Sequence, residues 1–135
     1  MYTLKEVCQI LDLSEHTVRY YTDQDLIPSV IRDKNNRRLF DEQALDWLRG
    51  TKYLRKLGMS IEAIHEFHIL CQQDGDEAIK KRLEILLKQL DVANEELKQA
   101  KQRVEYLNHK IEKERKVIDH IIPDDKNPSK KTYHK

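Results

Sequence analysis

The chain has 135 residues, of which 39% are hydrophobic and 36% are charged, with only three glycines and three prolines. This length holds one small globular domain plus an extension, and the composition is typical of long helices rather than of a sheet-rich domain or a disordered chain. The formal net charge of +1 does not by itself indicate a nucleic-acid partner.

No apolar run approaches the roughly 18 residues that a membrane-spanning helix needs. The start of the chain lacks the basic and then apolar pattern of a secretory signal, so we expect a cytoplasmic protein with no membrane partner. Residues 1–70 carry eleven acidic and ten basic side chains, so a face that binds a polyanion requires local segregation of charge. Two basic clusters can supply it: Arg32, Lys34, Arg37 and Arg38, and then Arg49, Lys52, Arg55 and Lys56.

The first 27 residues predict two short helices joined by a tight turn. Thr3 followed by Glu6 predicts a capping box at the start of the first helix. Ser14 predicts the N-cap of the second helix. Because only Asp12 and Leu13 separate the two helices, the segment predicts a helix-turn-helix.

Pro28 cannot continue a helix and favours extended geometry beside it. We therefore predict two short strands, Ser29–Ile31 and Arg38–Phe40, with a turn over Asp33–Asn36. A third helix then starts at Asp41 and ends at Gly58, and a fourth runs from Ser60 towards Gly75. The residues expected to face the core are Leu45, Leu48, Tyr53, Leu54 and Leu57 in the third helix and Ile61, Ile64, Phe67, Ile69 and Leu70 in the fourth.

Residues 76–121 contain neither glycine nor proline and show an uninterrupted heptad pattern. An apolar stripe on a helix on the order of 70 Å long is too extensive to be buried by a small head, so it predicts a partner helix. We predict a head over residues 1–75, a coiled-coil dimerisation helix over 76–121 and a flexible basic tail over 122–135. The expected dimerisation residues are Leu83, Leu86, Leu90, Leu97, Val104, Leu107, Ile111 and Ile118.

Five short motifs follow one another through the head: Tyr2-Thr3-Leu4-Lys5-Glu6-Val7, Leu13-Ser14-Glu15-His16-Thr17-Val18-Arg19-Tyr20-Tyr21, Leu26-Ile27-Pro28, Arg38-Leu39-Phe40 and Leu54-Arg55-Lys56-Leu57-Gly58-Met59-Ser60. Each motif is weak alone, but their order and spacing resemble the MerR family of bacterial regulators. The resemblance implies a mostly α fold, in which a winged helix-turn-helix head with a short two-stranded wing precedes a long antiparallel coiled-coil helix.

The resemblance also implies a homodimer that binds double-stranded promoter DNA sequence-specifically and distorts the spacer between promoter elements for RNA polymerase. Within the helix-turn-helix, Arg19 is a forked donor for a guanine edge or a phosphate. The other expected DNA contacts in this segment are Ser14, His16, Thr17, Tyr20 and Tyr21. For Tyr21, packing in the core is an equal alternative.

Arg38 stands in the place of the family's wing arginine, with Arg37 as a second wing cation. The common wing sequence is Gly-Tyr-Arg, whereas this chain has Asn36-Arg37-Arg38, and asparagine still tolerates a positive φ. Asp25 replaces the usual glycine before Leu26, which leaves the turn geometry open. Lys52 and Lys56 are one turn apart and are further candidates for the DNA backbone, or simply for a solvated helix face.

His65, His68 and Cys71 recur every three residues, but they offer too few ligands for a typical metal site, and we expect no cofactor. For Cys71 we expect a packing role as a buried thiol, with a redox-sensing role as the alternative, and Cys8 is expected in the core. No residue pattern indicates an enzyme. The alternatives left open are an excisionase-like DNA-architectural protein with the same winged head and a coiled-coil scaffold; the effector and the target sequence are not indicated.

Overall fold

The structure is a computed structural model that describes residues 1–128. Within it, Met1–Gln89 form one compact unit, and the second unit begins at Leu90. The boundary therefore lies further along the chain than the predicted one at residue 75. The reason is local: Ala78 is buried and Ile85 packs against the core of the first unit, so the first turns of the long helix belong to the head.

The fold is mainly helical, with a small antiparallel sheet in the head. In residues 1–128 the elements are, in order, β1 (Tyr2–Thr3), α1 (Leu4–Leu11), α2 (Glu15–Asp23), β2 (Ile31–Arg32), β3 (Arg38–Phe40), α3 (Glu42–Lys56), α4 (Ile61–Cys71) and α5 (Asp76–Ile118).

Side chains at the predicted N-caps satisfy the first free backbone N–H groups of four helices. Thr3 and Glu6 form the reciprocal capping box, with distances of 2.9 and 3.2 Å. The cap side chains of Ser14, Asp41 and Ser60 accept hydrogen bonds from backbone N–H groups at 3.0, 2.7 and 3.1 Å. The predicted starts of α1 to α4 are thus confirmed, because each cap satisfies a donor that the helix itself leaves unpaired.

The sheet has the strand order β1-β3-β2, and both pairings are antiparallel. The predicted wing hairpin is present, but its first strand is Ile31–Arg32 rather than Ser29–Ile31. β1 was not predicted, since its two residues give no alternating pattern that could be read. Its pairing with β3 attaches the start of the chain to the wing.

The core of the head lies between α1, α2, α3, β3 and the start of α4. Among the residues expected to face it, Tyr53, Leu57 and Ile69 are instead exposed, so those three predictions were wrong. On α3 the buried stripe passes through Thr51, whose hydroxyl donates to the Trp47 carbonyl at 2.8 Å and so needs no water. The buried apolar residues are Val7, Leu11, Val18, Tyr21, Leu26, Ile27, Phe40, Ala44, Leu45, Leu48, Leu54, Met59, Ile64, Leu70 and Ala78.

Helix α5 ends at Ile118, three residues before the predicted end. His120 adopts a positive φ of 58°, and the N–H of Ile121 bonds to the Lys116 carbonyl at 2.8 Å, which closes the helix in a Schellman motif. Six apolar residues recur every seven positions along α5 and are between 45% and 73% exposed in the single chain: Leu83, Leu90, Leu97, Val104, Ile111 and Ile118. The two other predicted dimerisation residues, Leu86 and Leu107, are also exposed.

The segment after α5 is in contact with that helix rather than free. The Lys113 ammonium lies 2.6 Å from the Asp125 carboxylate. This contact lowers the pKa of Asp125 below its ordinary value. Asp125 of the predicted tail therefore contacts α5, and the flexibility of the tail stays a prediction; Lys130, Lys131 and Lys135 of the predicted basic tail lie outside the described residues. Over residues 1–128, no helix has the length and apolar character that crossing a membrane requires.

Candidate nucleic-acid interface

Helix α2 presents polar side chains along one exposed face. The Ser14 hydroxyl accepts from the Thr17 N–H and donates to the Thr17 hydroxyl at 2.8 Å, which fixes the start of the helix. His16 and Arg19 are exposed, and Tyr20 is 44% exposed. Tyr21 lies in the core, in a tilted contact with Tyr20 at a centroid distance of 6.2 Å. Its position fits the packing alternative rather than a DNA contact.

The wing is closed by hydrogen bonds of its own turn. One oxygen of the Asp33 carboxylate accepts from the N–H groups of Asn35 and Arg37 at 2.8 and 2.9 Å. Asn36 has a φ of 62°, in the left-handed region that asparagine tolerates better than most residues with a Cβ. The Arg32 guanidinium donates to the Asn36 carbonyl at 3.0 Å, so Arg32 braces the turn from within the wing.

A groove of about 400 Å³ lies where the wing faces the starts of α1 and α2. Three separate parts of the chain bring cations to it, and two acids, Glu15 and Asp33, also line it. The basic residues of the lining are Lys5, Arg19, Arg32, Arg37 and Arg38. Charge that is dispersed in the sequence is thus concentrated on one concave surface, which is how a chain of near-neutral net charge binds a polyanion.

Arg38 differs from its neighbours because it has an acidic partner. Its guanidinium lies 2.9 Å from the carboxylate of Asp23, the last residue of α2. The Arg38 side chain is only 15% exposed, whereas that of Asp23 is 61% exposed. The pair ties the wing strand β3 to the end of α2.

Comparison with known proteins identifies the group to which this architecture belongs. A family model described as MerR HTH family regulatory protein matches residues 2–68. The uncharacterized HTH-type transcriptional regulator YyaN of Bacillus subtilis is 31% identical over 102 residues, covering 67% of this chain and 74% of that protein. The chain belongs to the MerR HTH family.

Other MerR-family comparisons extend the match along the chain. An uncharacterized HTH-type transcriptional regulator of Haemophilus influenzae is 29% identical over 110 residues, which cover 82% of this chain and 81% of that protein. The crystal structure of HiNmlR, a MerR family regulator lacking the sensor domain, bound to promoter DNA, is similar with a TM-score of 0.65 and 27% identity. The similarity covers 87% of this chain and 93% of that one. The chain is therefore a DNA-binding regulator of transcription.

Two lysines of α3 have different positions in this MerR-family head. The Lys52 ammonium donates to the Leu11 carbonyl at 2.6 Å, so it caps the end of α1. Lys56 is exposed in the last turn of α3. Lys52 therefore has a structural partner within the head. Lys56 is exposed to solvent, as was expected for both lysines.

His68 and Cys71, two members of the histidine and cysteine cluster considered from the sequence, have different environments on α4. His68 is buried, donates from Nδ1 to the Leu26 carbonyl at 3.1 Å and packs on Trp47 at a centroid distance of 4.8 Å. Its burial lowers its pKa, more strongly than the Leu26 hydrogen bond raises it. Among residues 1–128, no three His, Cys, Asp or Glu side chains are grouped to hold a metal ion.

The two cysteines differ from each other as well. Cys8 is partly buried against the core, as expected. Cys71 is exposed, so the expected buried thiol was wrong. It is the last residue of α4, and its Sγ lies 3.8 Å from the Arg82 guanidinium at the edge of an apolar groove that Trp47 and Leu86 also line.

Sequence reasoning did not assign Lys5 or Arg32 to the site. Arg32 belonged to a recognised basic cluster, but only the pairing of β2 with β3 places it opposite Arg38 and beside the groove. Lys5 belongs to a motif of the MerR resemblance, and the start of α1 brings it to the same groove. Both assignments depend on tertiary contacts that periodicity alone does not contain.

Proposed function

We propose that this MerR-family regulator binds promoter DNA as a homodimer, reads its sequence with α2 and holds the backbone with the wing. The observation that carries the proposal is the groove in which cations of α1, α2 and the wing converge. A helix-turn-helix reads base edges with the first part of its second helix, and that is where His16, Thr17 and Arg19 lie.

In this proposal the side chains divide into reading and holding groups. Arg19 is exposed and offers the bidentate donor geometry that recognises guanine in the major groove. Tyr20 packs on sugar and reaches a phosphate with its hydroxyl, and the Ser14 end of α2 faces a second phosphate. Arg37 and Lys56 supply exposed positive charge for the flanking backbone.

The proposed homodimer uses the exposed stripe of α5. A helix whose apolar residues recur every seven positions is stable in water when a second helix covers them. The family resemblance supports an antiparallel pairing, and HiNmlR, which is similar over 87% of this chain, was crystallised on promoter DNA. Two linked heads contact two half-sites, so bending and untwisting of the DNA between them become available as a means of control.

We propose that the bound dimer distorts a promoter spacer and so sets its fit to RNA polymerase. The deformation is driven by the contacts that the bent DNA makes with both heads.

The test begins with the native protein and a pool of random duplexes, from which the preferred sequence is enriched. Arg19→Ala should lower the affinity for that sequence by about 10- to 100-fold, because a bidentate base contact is lost. It should lower the affinity for random DNA only a few-fold. Arg49→Ala is the matched control for loss of one arginine: Arg49 is paired with Asp46 at 3.1 Å on α3 and does not line the groove, so its replacement should lower both affinities by a similar small factor. An equal loss of both affinities in Arg19→Ala would contradict the reading role of α2.

A further inference from the structure

The pair of Arg38 and Asp23 places one more carboxylate beside a groove whose lining holds five basic residues and two acids. Asp23 closes α2, and its 61% exposed side chain reaches the wing arginine at 2.9 Å. A negative group at this place repels a DNA phosphate, so its presence needs a physical reason beyond the stability of an exposed ion pair, which is small.

The strand register supplies one part of that reason. Arg32 and Arg38 are direct partners in the antiparallel ladder of β2 and β3. Like charges at directly opposed positions destabilise a sheet. Arg32 donates to the Asn36 carbonyl, which carries no formal charge, so Asp23 is the group that neutralises the cross-strand pair.

The second part is the effect on the groove. With its guanidinium on Asp23 and 15% of its side chain exposed, Arg38 is withdrawn from the solvent that a phosphate would occupy. Arg37, the next residue, stays exposed. The wing thus presents one free arginine where its sequence carries two in succession.

We infer that Asp23 is a specificity-determining and positioning residue: it holds Arg38 against α2, fixes the wing relative to the reading helix and withholds a cation from non-specific contact with phosphates. The inference rests on the proposed use of this groove for DNA. Backbone contacts carry no sequence information. In the specific complex the base contacts of α2 fix the register of the wing, whereas in a non-specific complex a released Arg38 is free to settle on whichever phosphate is nearest. Withholding Arg38 therefore weakens non-specific binding more than specific binding and raises the ratio of the two.

The experiment compares Asp23→Asn with Asp25→Asn in the native chain and in an Arg38→Ala background. Asp25 is exposed two residues away and matches the change in charge, and asparagine tolerates its positive φ. For each protein we measure affinity for random-sequence duplex and for the selected sequence between 50 and about 200 mM salt, the range over which phosphate contacts are resolved. Circular dichroism verifies that each variant is folded.

Asp23→Asn should bind random DNA about three- to tenfold more tightly than Asp25→Asn, with a salt slope steeper by about one, because one more phosphate is contacted. Affinity for the selected sequence should rise less, so the specificity ratio falls. In the Arg38→Ala background the difference between the two substitutions should vanish. Equal behaviour of Asp23→Asn and Asp25→Asn with Arg38 present would overturn the inference, as would weaker binding of random DNA by Asp23→Asn. If Arg19→Ala left the ratio of the affinities for the selected sequence and for random DNA unchanged, that result would instead count against the proposed DNA site itself.

Discussion

Asp25 stands where the family resemblance leads one to expect glycine, and its backbone adopts a conformation that favours glycine. It follows α2 with a φ of 58°, and the N–H of Leu26 bonds to the Tyr21 carbonyl at 3.2 Å. This is the left-handed position that glycine usually fills after a helix. The turn geometry that the substitution left open is therefore that of the glycine form, at a conformational cost of about 1 kcal/mol or more for a residue with a Cβ.

Replacing Asp25 with glycine should stabilise the head. The gain should be about 0.5–1 kcal/mol, because relief of the left-handed strain exceeds the added freedom of the unfolded chain. Urea unfolding followed by circular dichroism measures it. Asp25→Ala separates strain from charge, since it removes the same carboxylate but keeps a Cβ, and it should not be stabilising. Equal stability of the glycine and alanine variants would show that conformation at this position has no role.

Individual side chains were predictable from the sequence where local geometry decides their position. The four N-caps follow from the Thr, Ser and Asp residues that stand at the helix starts, and the exposure of Arg19 and Tyr20 follows from helical spacing. Cys71 and Lys52 were not predictable in this way. The side of α4 that a neighbouring helix covers decides the exposure of Cys71, and the end of α1, 41 residues away in sequence, decides the partner of Lys52.

Elements of the head are joined at His68, which connects α4 to the segment after α2 and to α3. Its Nδ1 donates to the Leu26 carbonyl, its ring packs on Trp47, and burial lowers its pKa. The unfolded chain binds a proton near pH 6.5, whereas the folded head binds it only at a lower pH. The stabilisation by neutral His68 is therefore complete above about pH 6.5 and is lost as the pH falls through the lowered pKa.

Substituting His68 with glutamine should flatten this pH dependence. Between pH 7.5 and about 5, the native protein should lose more unfolding free energy than His68→Gln, although the variant is less stable at neutral pH because it packs less well. Urea midpoints at several pH values give the comparison. His16→Gln is the control, because His16 is exposed on α2 and its removal should leave the native profile. A His68→Gln profile parallel to that of the native protein would contradict the assignment.

The order of the elements was predictable because caps, proline and glycine mark their ends. The exceptions have physical causes. β1 is too short for an alternating pattern, and its existence depends on pairing with β3. The end of α5 depends on His120 adopting a left-handed conformation. The sequence has no glycine there that would have predicted this helix end.

At the scale of the whole molecule, the division of the chain did not follow the sequence pattern. Gly75 marks the start of α5, but the first compact unit continues to Gln89, whose side chain donates to the Leu57 carbonyl at 3.1 Å. The heptad pattern begins before that point, so the same stretch of helix packs on the head and carries the start of the proposed dimer contact. A heptad pattern alone does not reveal that one stretch of helix both packs on the head and contributes to a dimer contact.

The proposed dimer provides the last prediction. Leu97 lies near the middle of the heptad stripe and is 53% exposed in the single chain. Leu97→Lys would place a charge in the seam of two paired helices, where desolvation opposes it, so it should shift the protein from dimer to monomer. Gln99→Lys adds the same charge two residues away, outside the heptad seam, and should remain dimeric.

Sedimentation equilibrium at micromolar concentration distinguishes these states, and the native protein and Gln99→Lys should both have twice the mass of the chain. Loss of the second head should lower affinity for a selected sequence of dyad symmetry by about 100-fold or more, since the two half-sites are no longer bound by one particle. Each monomeric head should still bind random DNA weakly, because its groove is intact. A native protein that sediments as a monomer, or a Leu97→Lys protein that stays dimeric, would refute the assignment of α5 as the dimer contact.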